Sequence, residues 1–312
     1  MIGVRALKYI GIDLGGTNIA VGVCDDIGNI LHRTSAKTNA AQPFEELVSD
    51  IADTVFSLLK AHSLTMSDIA AVGMGTPSCI DPKSGLLVNA NNLGWRNVPL
   101  YDEMKKHFDV PVFIQNDAAC AVLGEMRSGA AKGCENVLMV TLGTGVGGGI
   151  ILGGRLWNGC DNMGVEIGHT KLVYGGLKCS CGQRGCLEQY ASATALIRQY
   201  NETTNGSVSS AKEIFDRAES GEETALAVID SFADYLAAGL SSLIAVFRPE
   251  IILIGGGLCV QEKLLLKPLE SKLMDCTFAA KEIGIPRVCA AKLGNDAGMI
   301  GAAMLCRQEE PL

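Results

Sequence analysis

Two segments of the sequence share one pattern, a strand followed by a glycine-rich turn and a second strand. The first lies at residues 8–24, with the turn Asp-Leu-Gly-Gly-Thr at 13–17. The second lies at residues 136–152, with the turn Thr-Leu-Gly-Thr-Gly at 141–145. The two turns are about 128 residues apart, which is too long for a solenoid repeat. The pattern therefore predicts a duplicated domain with one phosphate-type loop in each of two lobes.

The rest of the chain alternates helical and strand patterns, which favours an α/β protein. Apolar residues recur at helical spacing in 43–62 and 222–247, and small residues form a further helical pattern at 297–307. Short apolar runs predict further strands at 69–75, 110–115, 251–254 and 287–291. At about 150 residues per domain, a chain of 312 residues accommodates two lobes. We expect the lobes to face each other across a cleft.

Composition limits the classes of ligand. The sequence has 37 glycines, where average usage predicts about 22. A content of 48% hydrophobic residues excludes a disordered chain, and the absence of a Gly-X-Y period excludes collagen. The net charge is −8 and no stretch is rich in Lys and Arg, so we expect no nucleic acid and no anionic membrane as partner. Positive charge for an anionic ligand must then come from backbone N–H groups, helix ends or a metal ion.

The sequence also predicts the cellular compartment. Its first residues lack the long apolar core of an export signal. Residues 137–154 carry no charge, but 7 of them are glycine, so we interpret them as a turn region and not as a membrane span. The 12 cysteines, without an export signal, are expected to be thiols or metal ligands. We therefore expect a cytoplasmic protein.

The glycine turns indicate phosphate binding, because turns without Cβ atoms expose backbone N–H groups to an anion. Asp13 ends the first strand and is a candidate Mg²⁺ ligand. A plain hairpin turn is the alternative for the first turn alone, and the second copy favours phosphate binding. Residues 143–148 also match Gly-x-Gly-x-x-Gly. A Rossmann dinucleotide site is disfavoured because residues 148–152 have a strand pattern where that site requires a helix.

The spacing His169-x9-Cys179-x-Cys181-x4-Cys186 predicts a metal site. Three thiols and one imidazole form the tetrahedral donor set that Zn²⁺ prefers, and four protein ligands leave no open position. The zinc should therefore be structural. The alternative is a group of unligated thiols on a loop. Two carboxylates, Glu166 and Glu188, flank the motif, and we expect them to orient a hydroxyl-rich ligand. For either one alone, the alternative is a solvated glutamate on the protein surface.

Asn116 and Asp117 follow a predicted strand and precede a helix of small residues. An aspartate at this position can serve as a helix N-cap. It can equally face a cleft and accept a proton from a substrate hydroxyl. The residues themselves leave both alternatives open.

Several short motifs together resemble the ROK sugar kinases, a family within the actin-like ATPase (ribonuclease H-like) fold. The most specific are Glu-x-Gly-His at 166–169 and Cys-x-Cys-Gly-x-x-Gly-Cys-x-Glu at 179–188. The others are Asp-Leu-Gly-Gly-Thr at 13–17, Gly-Thr-Pro at 75–77, Asn-Leu-Gly-Trp at 92–95, Asn-Asp at 116–117, Leu-Gly-Thr-Gly at 142–145 and Gly-Gly-Gly at 255–257. The glucokinase branch is the most similar. The resemblance implies a two-lobed α/β fold with a cleft, divided into a small lobe (1–118, completed by 296–312) and a large lobe with the zinc loop (119–295).

The resemblance also implies roles for individual residues in the phosphorylation of the 6-hydroxyl of a hexose by ATP and Mg²⁺. Asp117 would be the general base. The residues that would hold the other sugar hydroxyls are Asn92, Asn116, Glu166, His169 and Glu188. The residues that would bind the nucleotide and its metal ion are Asp13, Gly15, Gly16, Thr17, Asn18, Gly143, Thr144, Gly145, Gly255, Gly256 and Gly257.

Other functions within this family remain open. Glucose is the expected sugar, and N-acetylmannosamine, allose or fructose are the alternatives. A ROK repressor carries a DNA-binding domain ahead of the first glycine turn, and twelve residues precede Asp13 here, so we do not expect one. A sugar sensor without catalysis is a further alternative. The resemblance implies a homodimer.

The family's Gly-x-Pro-Gly is Gly-Thr-Pro-Ser at 75–78, and a serine with positive φ would be strained.

Overall fold

The computed structural model describes residues 7–77, 79–81, 84–161 and 163–308, so Ser78 lies outside the described residues. The strands are β1 (Lys8–Leu14), β2 (Asn18–Cys24), β3 (Ile30–Lys37), β4 (Ile69–Thr76), β5 (Cys79–Ile80), β6 (Leu87–Ala90), β7 (Trp95–Val98), β8 (Val112–Asn116), β9 (Val137–Leu142), β10 (Val146–Leu152), β11 (Arg155–Leu156), β12 (Ile251–Gly255) and β13 (Arg287–Ala290). The α-helices are α1 (Phe44–Ala61), α2 (Leu100–His107), α3 (Asp117–Ser128), α4 (Glu188–Ala191), α5 (Ala193–Thr204), α6 (Ala211–Glu219), α7 (Glu223–Phe247), α8 (Lys267–Cys276), α9 (Ala280–Ile283) and α10 (Ala297–Ala303).

The predicted duplication is present as two five-stranded sheets with equivalent strand orders. The first has the order β3-β2-β1-β4-β8, and the second has the order β11-β10-β9-β12-β13. In the first sheet β1, β2 and β3 form antiparallel hairpins, while β4 lies parallel to β1 and β8 parallel to β4. In the second sheet β12 lies parallel to β9 and to β13. The α/β class is therefore confirmed.

The chain divides into two compact units. The first unit comprises Met1–Glu135, Gly149–Val165 and Lys292–Leu312, and the second comprises Asn136–Gly148 and Glu166–Ala291. The predicted lobes, 1–118 with 296–312 and 119–295, stay a prediction. In the first unit, α3 packs against α10, which explains why the chain beyond residue 118 remains part of that unit.

Local pattern accounts for the elements that carry the site. Alternate residues of β1 are apolar and lie on one face of the strand, where Ile10, Ile12 and Leu14 are fully buried. The helix α1 is amphipathic and packs its apolar face into the same core. In the second unit, β12 is buried along its whole length, as expected for a strand covered on both faces.

Glycines let α10 approach the first sheet and α3 closely. A Cβ atom at Gly11 of β1 would lie 1.9 Å from the carbonyl oxygen of Met299, and one at Gly73 of β4 would lie 1.8 Å from that of Ala302. A Cβ atom at Gly301 would lie 1.7 Å from the carbonyl oxygen of Cys120 in α3. Atoms that are not bonded to each other cannot approach so closely, so these positions require glycine. The packing holds the middle of β1, the middle of β4 and the first turn of α3 against one helix.

Two features differ from the sequence-based expectations. The final helix α10 ends at Ala303, and a short 3₁₀-helix at Leu305–Arg307 follows it, so the prediction of one helix over 297–307 was too long. A three-stranded sheet of β5, β6 and β7 had no sequence prediction, because its strands have only two to four residues and show no clear alternation.

One helix of the described chain, α7, is long and apolar enough to cross a membrane by length and composition. Half of its apolar window is buried inside the protein, and a core helix of this length meets the same criterion. Residues 137–154, which lack charge, form β9, β10 and the turns that follow each of them.

Candidate functional site

In the first unit, parallel strand pairing brings the predicted residues to one edge of the sheet. Asp13 of β1 lies beside Gly75 of β4, and Thr76 of β4 lies beside Asn116 of β8. Asp117 is the first residue of α3 and follows β8 directly. The carboxyl ends of parallel strands meet at one edge, which is where α/β proteins commonly bind ligands.

Burial and the nearby charge of Asp117 raise the pKa of Asp13 to about 6. Part of this burial comes from α10, since a Cβ atom at Gly298 would lie 2.7 Å from Asp13 Oδ2. The Asp13 carboxylate is an oxygen donor of the kind that Mg²⁺ takes. The structure therefore brings together Asp13 and Asp117, which are far apart in the sequence.

The start of α3 resolves the open question about its N-cap. The side chain of Asn116 is the cap, and its Oδ1 accepts hydrogen bonds from the backbone N–H groups of Ala118 and Ala119 at 2.9 and 3.2 Å. Asp117 Oδ1 accepts from the N–H of Ala118 at 2.7 Å. Any hydrogen bond from Asn116 to a ligand would therefore have to come from its Nδ2 group, because Oδ1 serves the helix.

The first glycine turn is a tight connection between β1 and β2. The N–H of Gly15 donates to the carbonyl oxygen of Asn18 at 3.0 Å, and Thr38 Oγ1 donates to the carbonyl oxygen of Gly15 at 2.8 Å. A Cβ atom at Gly16 would lie 3.2 Å from Asn92 Cβ. The turn therefore lies next to Asn92, one of the predicted sugar-binding residues, and the chain needs a small residue at that contact.

Lys37 is a functional candidate that sequence reasoning missed. It pairs with Asn18 across β2 and β3, and its Nζ donates to Asn18 Oδ1 at 2.9 Å. The ammonium group therefore lies at the glycine turn, although we had expected positive charge there only from the backbone, helix ends or a metal ion. No motif marks Lys37, since only the strand register brings it to the turn.

In the second unit, the second glycine turn is held by α4 and α5. The carbonyl oxygens of Gly143 and Thr144 accept hydrogen bonds from Ala193 N and Thr194 Oγ1, at 2.9 and 2.8 Å. Glu188 Oε2 accepts from the N–H of Val146 at 3.1 Å. A Cβ atom at Gly145 would lie 2.3 Å from this oxygen, so a side chain at position 145 would displace the Glu188 carboxylate from the turn.

The third glycine segment adjoins this turn. Gly255 ends β12, and Gly256 has a φ of +81°. A Cβ atom at Gly256 would lie 2.2 Å from the carbonyl oxygen of Leu142, the residue before Gly143. Two glycine segments are therefore neighbours in the second unit. They are Gly255, Gly256 and Gly257, and Gly143, Thr144 and Gly145.

The four predicted metal ligands form one cluster in the second unit. One donor atom from each of His169, Cys179, Cys181 and Cys186 lies within 4.8 Å of all the others. Cys181 Sγ is 3.7 Å from Cys186 Sγ, and Cys179 Sγ is 3.8 Å from His169 Nδ1. Zn–S bonds of about 2.3 Å in a tetrahedron place two sulfur atoms about 3.8 Å apart. The donor set and its spacing therefore fit Zn²⁺.

The loop that carries these ligands is held by its backbone. The N–H of Cys179 donates to the carbonyl oxygen of Gln183 at 2.8 Å, and Gly182 and Gly185 have φ values of +86° and +76°. A backbone hydrogen bond at Gln183 lowers the pKa of the Cys181 thiol, whereas burial raises the pKa of the Cys186 thiol.

The two flanking carboxylates are within a few residues of the cluster in the sequence. Glu166 immediately precedes the 3₁₀-helix Ile167–His169, and its carbonyl oxygen accepts from the N–H of His169 at 3.0 Å. Glu188 Oε1 is 3.8 Å from Cys179 Sγ. Glu188 therefore contacts both the metal cluster and the second glycine turn.

We expect Asp13→Asn to raise the free energy of unfolding by about 3 kcal/mol near pH 7.5. The pKa of Asp13 rises from 3.8 to about 6 on folding, so ionising this carboxyl costs stability. That cost is absent below about pH 4, grows as the pH rises, and is complete above about pH 6. Urea unfolding at about pH 7.5 and pH 4 measures it, with the gain expected only at the higher pH.

The matched control for this variant is Asp53→Asn, which removes an exposed carboxylate from α1. It should leave the unfolding free energy nearly unchanged at both pH values. An equal effect of Asp13→Asn at both pH values would contradict the burial argument.

Comparisons with known proteins agree with these features. The ROK family profile matches residues 9–309. The glucokinase of Halalkalibacterium halodurans is 37% identical over 322 residues, covering 97% of this chain and 96% of that protein. The glucokinase of Thermotoga maritima is 37% identical over 316 residues, covering 97% of this chain and 98% of that protein.

A similar solved structure is a ROK family glucokinase from Streptomyces griseus in complex with glucose and AMPPNP. Its TM-score is 0.81 at 36% identity, and the match covers 97% of this chain and 100% of that chain. The two proteins share the actin-like ATPase fold. The profile match over nearly the whole chain, together with the Cys₃His cluster and the paired glycine turns, establishes that this chain belongs to the ROK family.

Proposed function

We propose that the protein is a glucokinase that transfers the γ-phosphoryl group of ATP to the 6-hydroxyl of glucose. The observation that carries this proposal is the pair of Asp13 and Asp117 beside the first glycine turn, in a chain with glucokinase relatives at 37% identity. ATP as the phosphoryl donor is supported by the similar glucokinase that holds glucose and AMPPNP. The enzyme is a phosphotransferase with an alcohol group as acceptor.

Asp117 would act as the general base. The sugar 6-oxygen forms a bond to the γ-phosphorus while the bond from that phosphorus to the β,γ-bridging oxygen breaks, and the hydroxyl proton passes to the Asp117 carboxylate. Its position at the start of α3 orients this carboxylate, because the Ala118 N–H donates to Oδ1. Phosphoryl transfer depends chiefly on such positioning and on neutralisation of charge.

Backbone groups and one metal ion would supply the positive charge. Asp13 would hold Mg²⁺, whose chemistry is to neutralise the phosphate oxygens. In the first unit the phosphate-binding residues would be Gly15, Gly16, Thr17 and Asn18, with Lys37 beside them. In the second unit they would be Gly143, Thr144 and Gly145, with Gly255, Gly256 and Gly257 binding the adenosine.

The sugar hydroxyls would be held by amide, imidazole and carboxylate groups. These residues are Asn92 and Asn116 in the first unit and Glu166, His169 and Glu188 in the second. His169 Nδ1 faces the thiol of Cys179, which leaves Nε2 to donate to a sugar oxygen. A structural Zn²⁺ on His169, Cys179, Cys181 and Cys186 would hold these three side chains of the second unit in place.

The test is ADP release from ATP and Mg²⁺ with a panel of sugars. We expect glucose to give the highest kcat/KM, ahead of N-acetylmannosamine, allose and fructose. A preference for another hexose would leave the kinase proposal intact and change the substrate. Glucose binding without ADP release by any sugar would favour the sensor alternative and overturn the proposal.

The proposed enzyme would act in the cytoplasm on small molecules as a homodimer, without nucleic acid or membrane partners. The net charge of −8 supports the last part of this proposal.

A further inference from the structure

Lys171 and Cys186 face each other in the zinc loop. They form an isolated antiparallel bridge, and the hydrogen bonds on either side run from Leu172 N to Gly185 O and from Leu187 N to Thr170 O, at 2.8 and 2.9 Å. This pattern defines a non-hydrogen-bonded pair, whose Cα atoms lie about 4.5 Å apart with adjacent side chains. The backbone therefore holds the two side chains next to each other.

The side chains make a direct contact. Lys171 Nζ lies 3.2 Å from Cys186 Sγ, within the range for an N–H donor to sulfur. Cys186 is fully buried, whereas Lys171 is an exposed residue. The ammonium group thus approaches the metal cluster from its solvent side without being one of the four ligands.

Charge explains what this contact would do. One Zn²⁺ with three thiolates and a neutral imidazole carries a net charge of −1. A negative centre is costly where burial keeps water away, and one ammonium group nearby cancels that charge. A hydrogen bond to a ligand sulfur also makes that sulfur less reactive toward other electrophiles. It orients the sulfur toward the metal as well.

We propose that Lys171 is a positioning residue of the zinc site, which retains the metal by donating a hydrogen bond to Cys186. The proposal rests on the proposed structural zinc. It assigns a function to a side chain outside the Cys-x-Cys-x4-Cys motif. Its consequence is a slower loss of zinc, because dissociation of the Cys186 thiolate would have to break the contact with Lys171 as well as the metal bond.

The same loop offers a matched control. Lys178 also occupies an isolated antiparallel bridge, but its partner is Arg184 and not a cysteine. Lys178 is exposed like Lys171 and adjoins Cys179 in the sequence. Among the residues that the structure describes, its side chain makes no hydrogen bond to a cysteine. Replacing either lysine therefore removes one positive charge from the loop, and only one replacement removes the contact with a ligand.

The experiment measures the rate at which zinc passes from the purified protein to an excess of a chromogenic chelator. We expect Lys171→Met to release zinc about tenfold faster than the unchanged protein, in line with the effect of other groups that contact metal ligands. Lys178→Met should release zinc at the unchanged rate. Lys171→Arg should restore slow release, because its guanidinium keeps the charge and the N–H donors.

Zinc content, measured by elemental analysis before the chelator is added, separates the two proposals. About one zinc per chain with equal release rates for Lys171→Met and the unchanged protein would overturn the role of Lys171 and leave the zinc site intact. Equal acceleration by Lys171→Met and Lys178→Met would also overturn it, since general charge would then suffice. An unchanged protein that binds no zinc would overturn both proposals.

Discussion

Replacing Asp117 with asparagine should lower kcat for glucose phosphorylation at least about a hundredfold, since general-base catalysis contributes about 10²- to 10⁴-fold. The amide cannot take the proton of the sugar 6-hydroxyl, although its oxygen can still accept the hydrogen bond from Ala118 N that Asp117 Oδ1 accepts at 2.7 Å. The start of α3 should therefore remain folded. The KM values for glucose and ATP should change much less than kcat. Coupled measurement of ADP release gives both parameters.

A suitable control is Asp109→Asn, which removes an exposed carboxylate that follows α2. It should retain the kcat of the unchanged enzyme. Retention of more than about a hundredth of kcat by Asp117→Asn or Asp117→Ala would count against the assignment of Asp117 as the base. A rise in KM with unchanged kcat would point instead to a role in binding alone.

Replacing Cys186 with serine should abolish zinc binding and remove most of the activity. The thiolate ligand is lost, and a hydroxyl is a poor replacement for it. Structural zinc sites contribute free energy directly to folding, so we expect the free energy of unfolding to fall by at least about 3 kcal/mol. Activity should fall because Glu188 lies two residues beyond Cys186 and accepts the Val146 N–H at the second glycine turn.

Zinc content, thermal unfolding and ADP release should be measured together on this variant. Cys276→Ser is its control, because Cys276 is an exposed free thiol outside the cluster. We expect about one zinc ion per chain in the control and in the unchanged protein. Full activity and stability in a protein shown to be free of zinc would refute the structural role of the metal.

Local features of this site could be predicted well. β1 runs from Lys8 to Leu14 and α1 from Phe44 to Ala61, close to the bounds that their apolar patterns indicate. The metal cluster was also predictable, because three of its ligands lie within eight residues of each other on one loop. Interactions over such short separations depend on periodicity and spacing, which the sequence displays directly.

Other residues of the site had no local signal. Lys37 reaches the first glycine turn only through its register with Asn18, and Lys171 reaches Cys186 only through one bridge. The cap of α3 is Asn116 and not Asp117, a choice that depends on backbone geometry at the end of β8. None of these pairings follows from a pattern within one segment.

The sequence by itself determined the duplicated α/β class, the glycine turns, the His and Cys residues that cluster in the second unit, and the family. Only the tertiary structure decided that Asp13 and Asp117, 104 residues apart, lie close enough for one charge to raise the pKa of the other group. That approach depends on α10, whose contacts with Gly11, Gly73 and Cys120 hold β1, β4 and α3 against a single helix. Periodicity shows which face of each element is buried, but close packing of particular atoms decides which functional groups meet.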